Sequence, residues 1–108
     1  MPQPLSIVII TFNEAGNIER CIQSVAGIAD EVLVVDSLST DNTPELARSL
    51  GARVEQRPWP GYARQREWAS QAAAHDWVLA LDADEYLSPE LHASILVVKS
   101  EPQADAYS

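Results

Sequence analysis

Two carboxylates one residue apart, Asp82-Ala83-Asp84, follow directly on the apolar run Trp77 to Leu81. At the end of a buried strand such a pair can share one hard divalent cation, each side chain giving oxygen ligands. Glu85 comes next, and two more acid-bearing turns follow apolar runs: Thr11-Phe12-Asn13-Glu14 and Asp36-Ser37-Leu38-Ser39-Thr40-Asp41. Like charges about 4 Å apart cost about 4 kcal/mol at an effective dielectric of about 20, so converging acids need protonation or a cation. There is no G-x-G-x-x-G after the first apolar run and no G-x-x-x-x-G-K-[ST] anywhere, hence no phosphate cradle of glycine amides. A diphosphate bound here would need a metal held on carboxylates instead. Phe12 can stack on a base, or serve as core. Asp36 can hydrogen-bond a base or ribose, and can also hold its own loop by turn bonds. Arg64 and Arg66 can reach a phosphate; on an acidic chain such arginines are more often solvated. Cys21 sits on an apolar helix face and reads as core. His75 and His92 lie in no motif, and Trp59 is the one tryptophan whose role is open between packing and ligand.

The elements that must position these residues are legible. Leu5 to Phe12, Glu31 to Val35, Ala52 to Glu55 and Trp77 to Leu81 are short apolar runs, three of them nearly continuous in Val, Ile and Leu. Without alternation they read as strands covered on both faces, as in a parallel sheet. Ile18, Cys21, Ile22 and Val25 recur at helical spacing. A second helix opens at Asn42-Thr43-Pro44-Glu45, with Asn42 as cap, and stops at Gly51. A third covers Tyr62 to Ala74, and a fourth opens at Ser88-Pro89-Glu90 with Leu91, Ile95 and Val98 inward. Arg57-Pro58-Trp59-Pro60-Gly61 reads as a rigid loop. Four strand–helix alternations predict a three-layer α/β/α fold, Rossmann-like and doubly wound around a mostly parallel sheet. In such sheets ligands bind outside the carboxyl ends of the strands, where all three acidic turns fall.

The chain has 108 residues, 46% of them hydrophobic, and reads as a single domain over 1–108. Its formal net charge of -9 is the wrong sign for a phosphate-backbone reader, so nucleic acid is not an expected partner. One cysteine permits no internal disulfide and fits a reducing compartment. With no signal-peptide pattern and no membrane-length apolar run, a cytoplasmic location is expected, at most with peripheral membrane contact.

Taken in order, Ser6-Ile7-Val8-Ile9-Ile10-Thr11-Phe12-Asn13-Glu14, Val34-Val35-Asp36-Ser37-Leu38-Ser39-Thr40-Asp41-Asn42-Thr43 and Leu81-Asp82-Ala83-Asp84-Glu85 resemble family 2 glycosyltransferases. The match is to the N-terminal, nucleotide-binding half of their GT-A fold. Trp59-Pro60-Gly61-Tyr62 with Arg64-Gln65-Arg66 is similar to the bacterial lipopolysaccharide-core glucosyltransferase branch. The resemblance implies that Thr11, Phe12 and Glu14 line a nucleotide pocket, that Asp36 contacts the uracil or ribose, and that Arg66 falls near the nucleotide. It implies that Asp84 coordinates Mg²⁺ or Mn²⁺ directly, with Asp82 assisting through the metal or the donor sugar. The implied partners are a UDP-sugar donor and a glycan or lipid-linked acceptor. Leu38 and Asn42 stand where the family usually has glycine, and Glu67 where it commonly has asparagine. Asparagine tolerates a left-handed backbone; leucine does so poorly.

Family members continue for about another hundred residues that carry the acceptor site and the base, so no catalytic residue is expected within 1–108. Ala104-Asp105-Ala106-Tyr107-Ser108 looks like the entrance to a fifth strand, and the chain like a piece of a longer enzyme. An unfinished sheet edge is a template for strand pairing, which allows a homodimer. Three rivals stand beside this reading. A haloacid-dehalogenase-type phosphatase also places Asp-x-Asp after four apolar residues, but near the chain start and with lysine and more acids downstream. A Toprim-like nucleic-acid module would need a basic stripe. A non-catalytic nucleotide-binding or interaction module is the third.

Overall fold

The computed structural model describes residues 4–100. Strands β1 (Leu5–Thr11), β2 (Glu31–Asp36), β3 (Arg53–Gln56) and β4 (Trp77–Asp82) alternate with helices α1 (Ile18–Ser24), α2 (Thr43–Ser49), α3 (Tyr62–Ala72) and α4 (Pro89–Ser100). The strands form one parallel sheet in the order β3-β2-β1-β4. The chain thus steps outward from β1 to β3, then returns to the far side of β1. This reversal leaves a crevice between the carboxyl ends of β1 and β4.

The apolar runs hide a period of two. Ile7, Ile9, Val34 and Leu81 face one side and pack with Ile18, Cys21, Ile22 and Val25 of the α1 region and Ala47 of α2. Val8, Leu33 and Val35 face the other side, against Ala69 and Trp68 of α3. Both faces of β1 are therefore dry, which is why its residues do not alternate. Each fully buried Ile, Leu or Val contributes about 1.5–3 kcal/mol. Coverage on both faces holds for β1 along its length and for the carboxyl half of β2. The outer strands depart from that expectation: β3 is largely exposed and β4 half-buried, because each is paired on one edge only among the described residues.

Two helix expectations need correction. Asn42 makes no capping bond, its backbone sitting at φ -90° and ψ 23°; Asp41 accepts from the Thr43 N–H instead, at 2.9 Å. Leu91 is not inward but 48% exposed, while Ile95 and Val98 are half-buried. These three residues, with Leu5, Trp77 and Leu79, line a wide apolar groove of about 560 Å³ between β4 and α4. Ser88 does cap α4, accepting from the Leu91 N–H at 3.1 Å. Helix α3 stops at Ala72, where the carbonyl accepts from Arg53 Nη2 at 2.7 Å. The strand expected at Ala104–Ser108 lies outside the described residues.

Candidate functional site

The crevice between β1 and β4 holds a cleft of about 350 Å³ lined by Ile10, Thr11, Phe12, Glu14, Trp59, Tyr62, Asp82, Ala83 and Asp84. A second, almost wholly apolar slot of about 420 Å³ adjoins it between Phe12, Ser37 and Trp59. Phe12 and Trp59 are more than half exposed. Large rings left open at a strand end, beside a carboxylate pair, suit a flat ligand with a charged tail.

The two loops that shape this end are lashed together by side chains. Asn13 sits at φ 52°, and its Oδ1 accepts the Thr40 N–H at 2.8 Å and the Asp41 N–H at 3.3 Å. Its own N–H donates to Ser39 Oγ at 2.8 Å. The Glu14 N–H donates to Thr43 Oγ1 at 2.9 Å and the Ala15 N–H to Asp41 Oδ2 at 3.2 Å. Asp36, fully buried, accepts from Thr11 Oγ1 at 2.6 Å, from the Ser39 N–H at 2.8 Å, from Ser39 Oγ, and from Gln56 Nε2 at 3.2 Å. Asp36 thus lies behind the cleft wall, holding Thr11 and Ser39 in place. A ligand could reach its carboxylate only by displacing one of these donors.

The acids sort by sheet end. At the amino end, Asp30 is paired with Lys99 at 2.7 Å and accepts the Leu5 N–H; Glu31 takes Ser6, the Ala74 N–H and Arg53. At the carboxyl end, hydroxyls and amides satisfy Asp36 and Asp41, not a cation. That leaves Glu14, Asp82, Asp84 and Glu85. Their joint field is felt at Cys21, whose thiol is pushed up to about 12 by burial first and then by Glu85, Asp84, Glu14 and Asp82. Glu85 folds back, its Oε1 accepting the Asp82 N–H at 2.7 Å, which closes the turn. Asp82 is half-buried and accepts from the Tyr62 hydroxyl at 3.0 Å, and Asp84 is exposed with no hydrogen bond or ion pair among the described residues. The Tyr62 phenol is raised above its ordinary value by that bond, then by burial and by the Asp82 charge.

Among the described residues no three His, Cys, Asp or Glu side chains form a ready-made metal cage. A half-buried and an exposed carboxylate, Asp82 and Asp84, are nonetheless the donor set a Mg²⁺-like cation uses when it keeps several waters and shares a bound phosphate. Thr11, Phe12, Glu14, Asp82 and Asp84 therefore meet at one cleft; Asp36 supports it from behind. Arg66 stands at its margin, exposed, with its guanidinium carbon 5.8 Å from the Tyr62 ring centre. Residue type and spacing alone do not single out Tyr62; its signal in the sequence is the Trp-Pro-Gly-Tyr segment that opens α3, where Gly61 at φ 108° turns the chain.

The profile described as Glycosyl transferase family 2 matches residues 6–107. An uncharacterized glycosyltransferase of Rickettsia bellii (strain RML369-C) is 49% identical over 107 residues, covering 99% of this chain and 36% of the relative. The lipopolysaccharide core biosynthesis glycosyltransferase LpsC of Rhizobium meliloti (strain 1021) is 39% identical over 93 residues, covering 82% of this chain and 34% of that protein. Among solved structures, glucosyl-3-phosphoglycerate synthase from Mycobacterium tuberculosis, in complex with Mn²⁺, UDP and glucosyl-3-phosphoglycerate, superposes with a TM-score of 0.66. It is 30% identical, over 78% of this chain and 36% of that one. The chain spans about a third of the length of these relatives.

Proposed function

The chain belongs to glycosyltransferase family 2, and on that premise we propose that its cleft binds the UDP-sugar donor of an inverting transfer to a cell-envelope glycan such as lipopolysaccharide core. The observation that carries this is the pairing of an open aromatic slot, Phe12 and Trp59, with the Asp82 and Asp84 carboxylates in one crevice. The uracil lies against Phe12, at a wall held in shape by Asp36 through Thr11 and Ser39. Asp84 and Asp82 hold Mg²⁺ or Mn²⁺ at the diphosphate end, with Arg66 at the margin. When bound, the cation supplies Lewis-acid neutralisation of charge on the departing UDP. Asp82 also orients the donor sugar. Glu85 makes a poor base, since it sits among the metal-binding carboxylates and one of its oxygens accepts the Asp82 N–H. The Mn²⁺ and UDP in the mycobacterial neighbour support the donor and metal assignments, and the likeness to LpsC supports the envelope acceptor. No described helix is long and apolar enough to cross a membrane. A homodimer by strand pairing at an unfinished sheet edge belongs to the same reading.

Calorimetric titration of UDP, GDP and ADP with Mn²⁺ and with EDTA tests it. UDP binding should require metal, exceed that of GDP and ADP, and lose its metal-dependent part in Asp84→Ala. Equal UDP affinity in Mn²⁺ and EDTA overturns the reading.

A further inference from the structure

Tyr62 is where the aromatic loop and the carboxylate pair touch. Its ring centre lies 6.4 Å from that of Trp59 at an interplanar angle of 53°. Its hydroxyl donates to Asp82 Oδ1 at 3.0 Å. The side chain is 45% exposed, so core packing does not account for where the hydroxyl points. Its position comes from the helix behind it. Tyr62 opens α3, and α3 is pinned under the sheet by buried Ala69 and by fully buried Gln65, whose Nε2 donates to Ser37 Oγ at 3.1 Å.

Asp82 is thereby held from two elements. Glu85 takes its backbone N–H from one side, and Tyr62 takes Oδ1 from the other. Asp84, two residues on, has no such restraint among the described residues. We infer that Tyr62 is a positioning residue: it fixes the Asp82 carboxylate so that its second oxygen and Asp84 can share one divalent cation. This rests on the proposed cation role of Asp82 and Asp84. A carboxylate held in place loses less rotational freedom when it binds, so affinity gained through the hydroxyl is an ordering effect.

Mn²⁺ titration of the 108-residue chain at saturating UDP, read from the electron paramagnetic resonance signal of free Mn²⁺, is the test. Tyr62→Phe removes only the hydroxyl and keeps the ring against Trp59. It should melt like the parent yet bind Mn²⁺ about 3- to 10-fold more weakly, the scale of an exposed bond to a charged group. In an Asp82→Ala background the same change should cost nothing further. Parent-like Mn²⁺ affinity in Tyr62→Phe overturns the inference, as do losses that simply add in the double variant. If the parent chain takes up no Mn²⁺ with UDP, the proposed function itself falls, and this inference with it.

Discussion

Leu38 occupies the left-handed backbone region at φ 60° with half its surface exposed. The family pattern has glycine there, and the loop keeps the glycine path despite the substitution. At Asn42 the outcome is the reverse: φ is -90°, so the second missing glycine left no strained backbone. Two side chains explain how Leu38 is tolerated. Asp36 grips Ser39 just beyond it, and Gln65 holds Ser37 just before it. A left-handed leucine costs about 1–2 kcal/mol, and glycine returns about 0.5–1 kcal/mol of that to unfolded-state entropy. Leu38→Gly should therefore stabilise the chain by about 0.5–1 kcal/mol, raising Tm by about 2–6 °C. Thermal melting checks this; a lower Tm would mean that the leucine side chain supports the loop.

At the scale of elements, β1 and β2 are tied at both ends by acids, and the ties are pH-sensitive. The Lys99 hydrogen bond, working against some desolvation, holds the Asp30 carboxyl below its ordinary 3.8. Burial pushes Glu31 up, but the Ala74 N–H, the Ser6 hydroxyl and the Arg53 charge outweigh it and leave the carboxyl below 4.5. Asp41 is lowered chiefly by the Thr43 hydroxyl, despite desolvation. With folded values below unfolded ones, the unfolded chain binds more protons in this window, so stability rises with pH. The contribution is complete above about pH 5 and is lost as pH falls through the folded values. Tm should stay level from neutrality to about pH 5 and drop below it, with a shallower drop in Lys99→Met. A melt series across that range decides; an unchanged acid limb in Lys99→Met removes Lys99 from the account.

For the molecule as a whole, charge works against compactness. The net charge is -9, and two ion pairs occur among the described residues, Arg53–Glu31 and Lys99–Asp30. Repulsion among the remaining acids should dominate the salt response. Raising NaCl from about 0.1 to about 1 M shortens the screening length from about 10 to about 3 Å. Screening should raise Tm by a few degrees, with Asp84→Asn gaining less because one repelling charge is already gone. A Tm that falls with salt would mean that the two ion pairs outweigh the repulsion.

Residue order alone determined the strand and helix succession, because apolar runs and helical spacing are local patterns that survive without knowledge of partners. It also placed Thr11, Phe12, Glu14, Asp82 and Asp84 at strand ends, and their motifs carried the family. Tertiary structure decided what each acid does. Asp36, Asp41, Asp82 and Asp84 look alike in sequence, yet the first two are consumed by amides and hydroxyls brought from 20 or more residues away or from their own turn. Only the reversal of strand order at β1 brings Asp82 beside Phe12 rather than beside the end of β3 at Gln56. Tyr62 is the clearest case: its hydroxyl meets Asp82 across 20 residues. No spacing rule encodes that contact, because it depends on how α3 crosses the sheet.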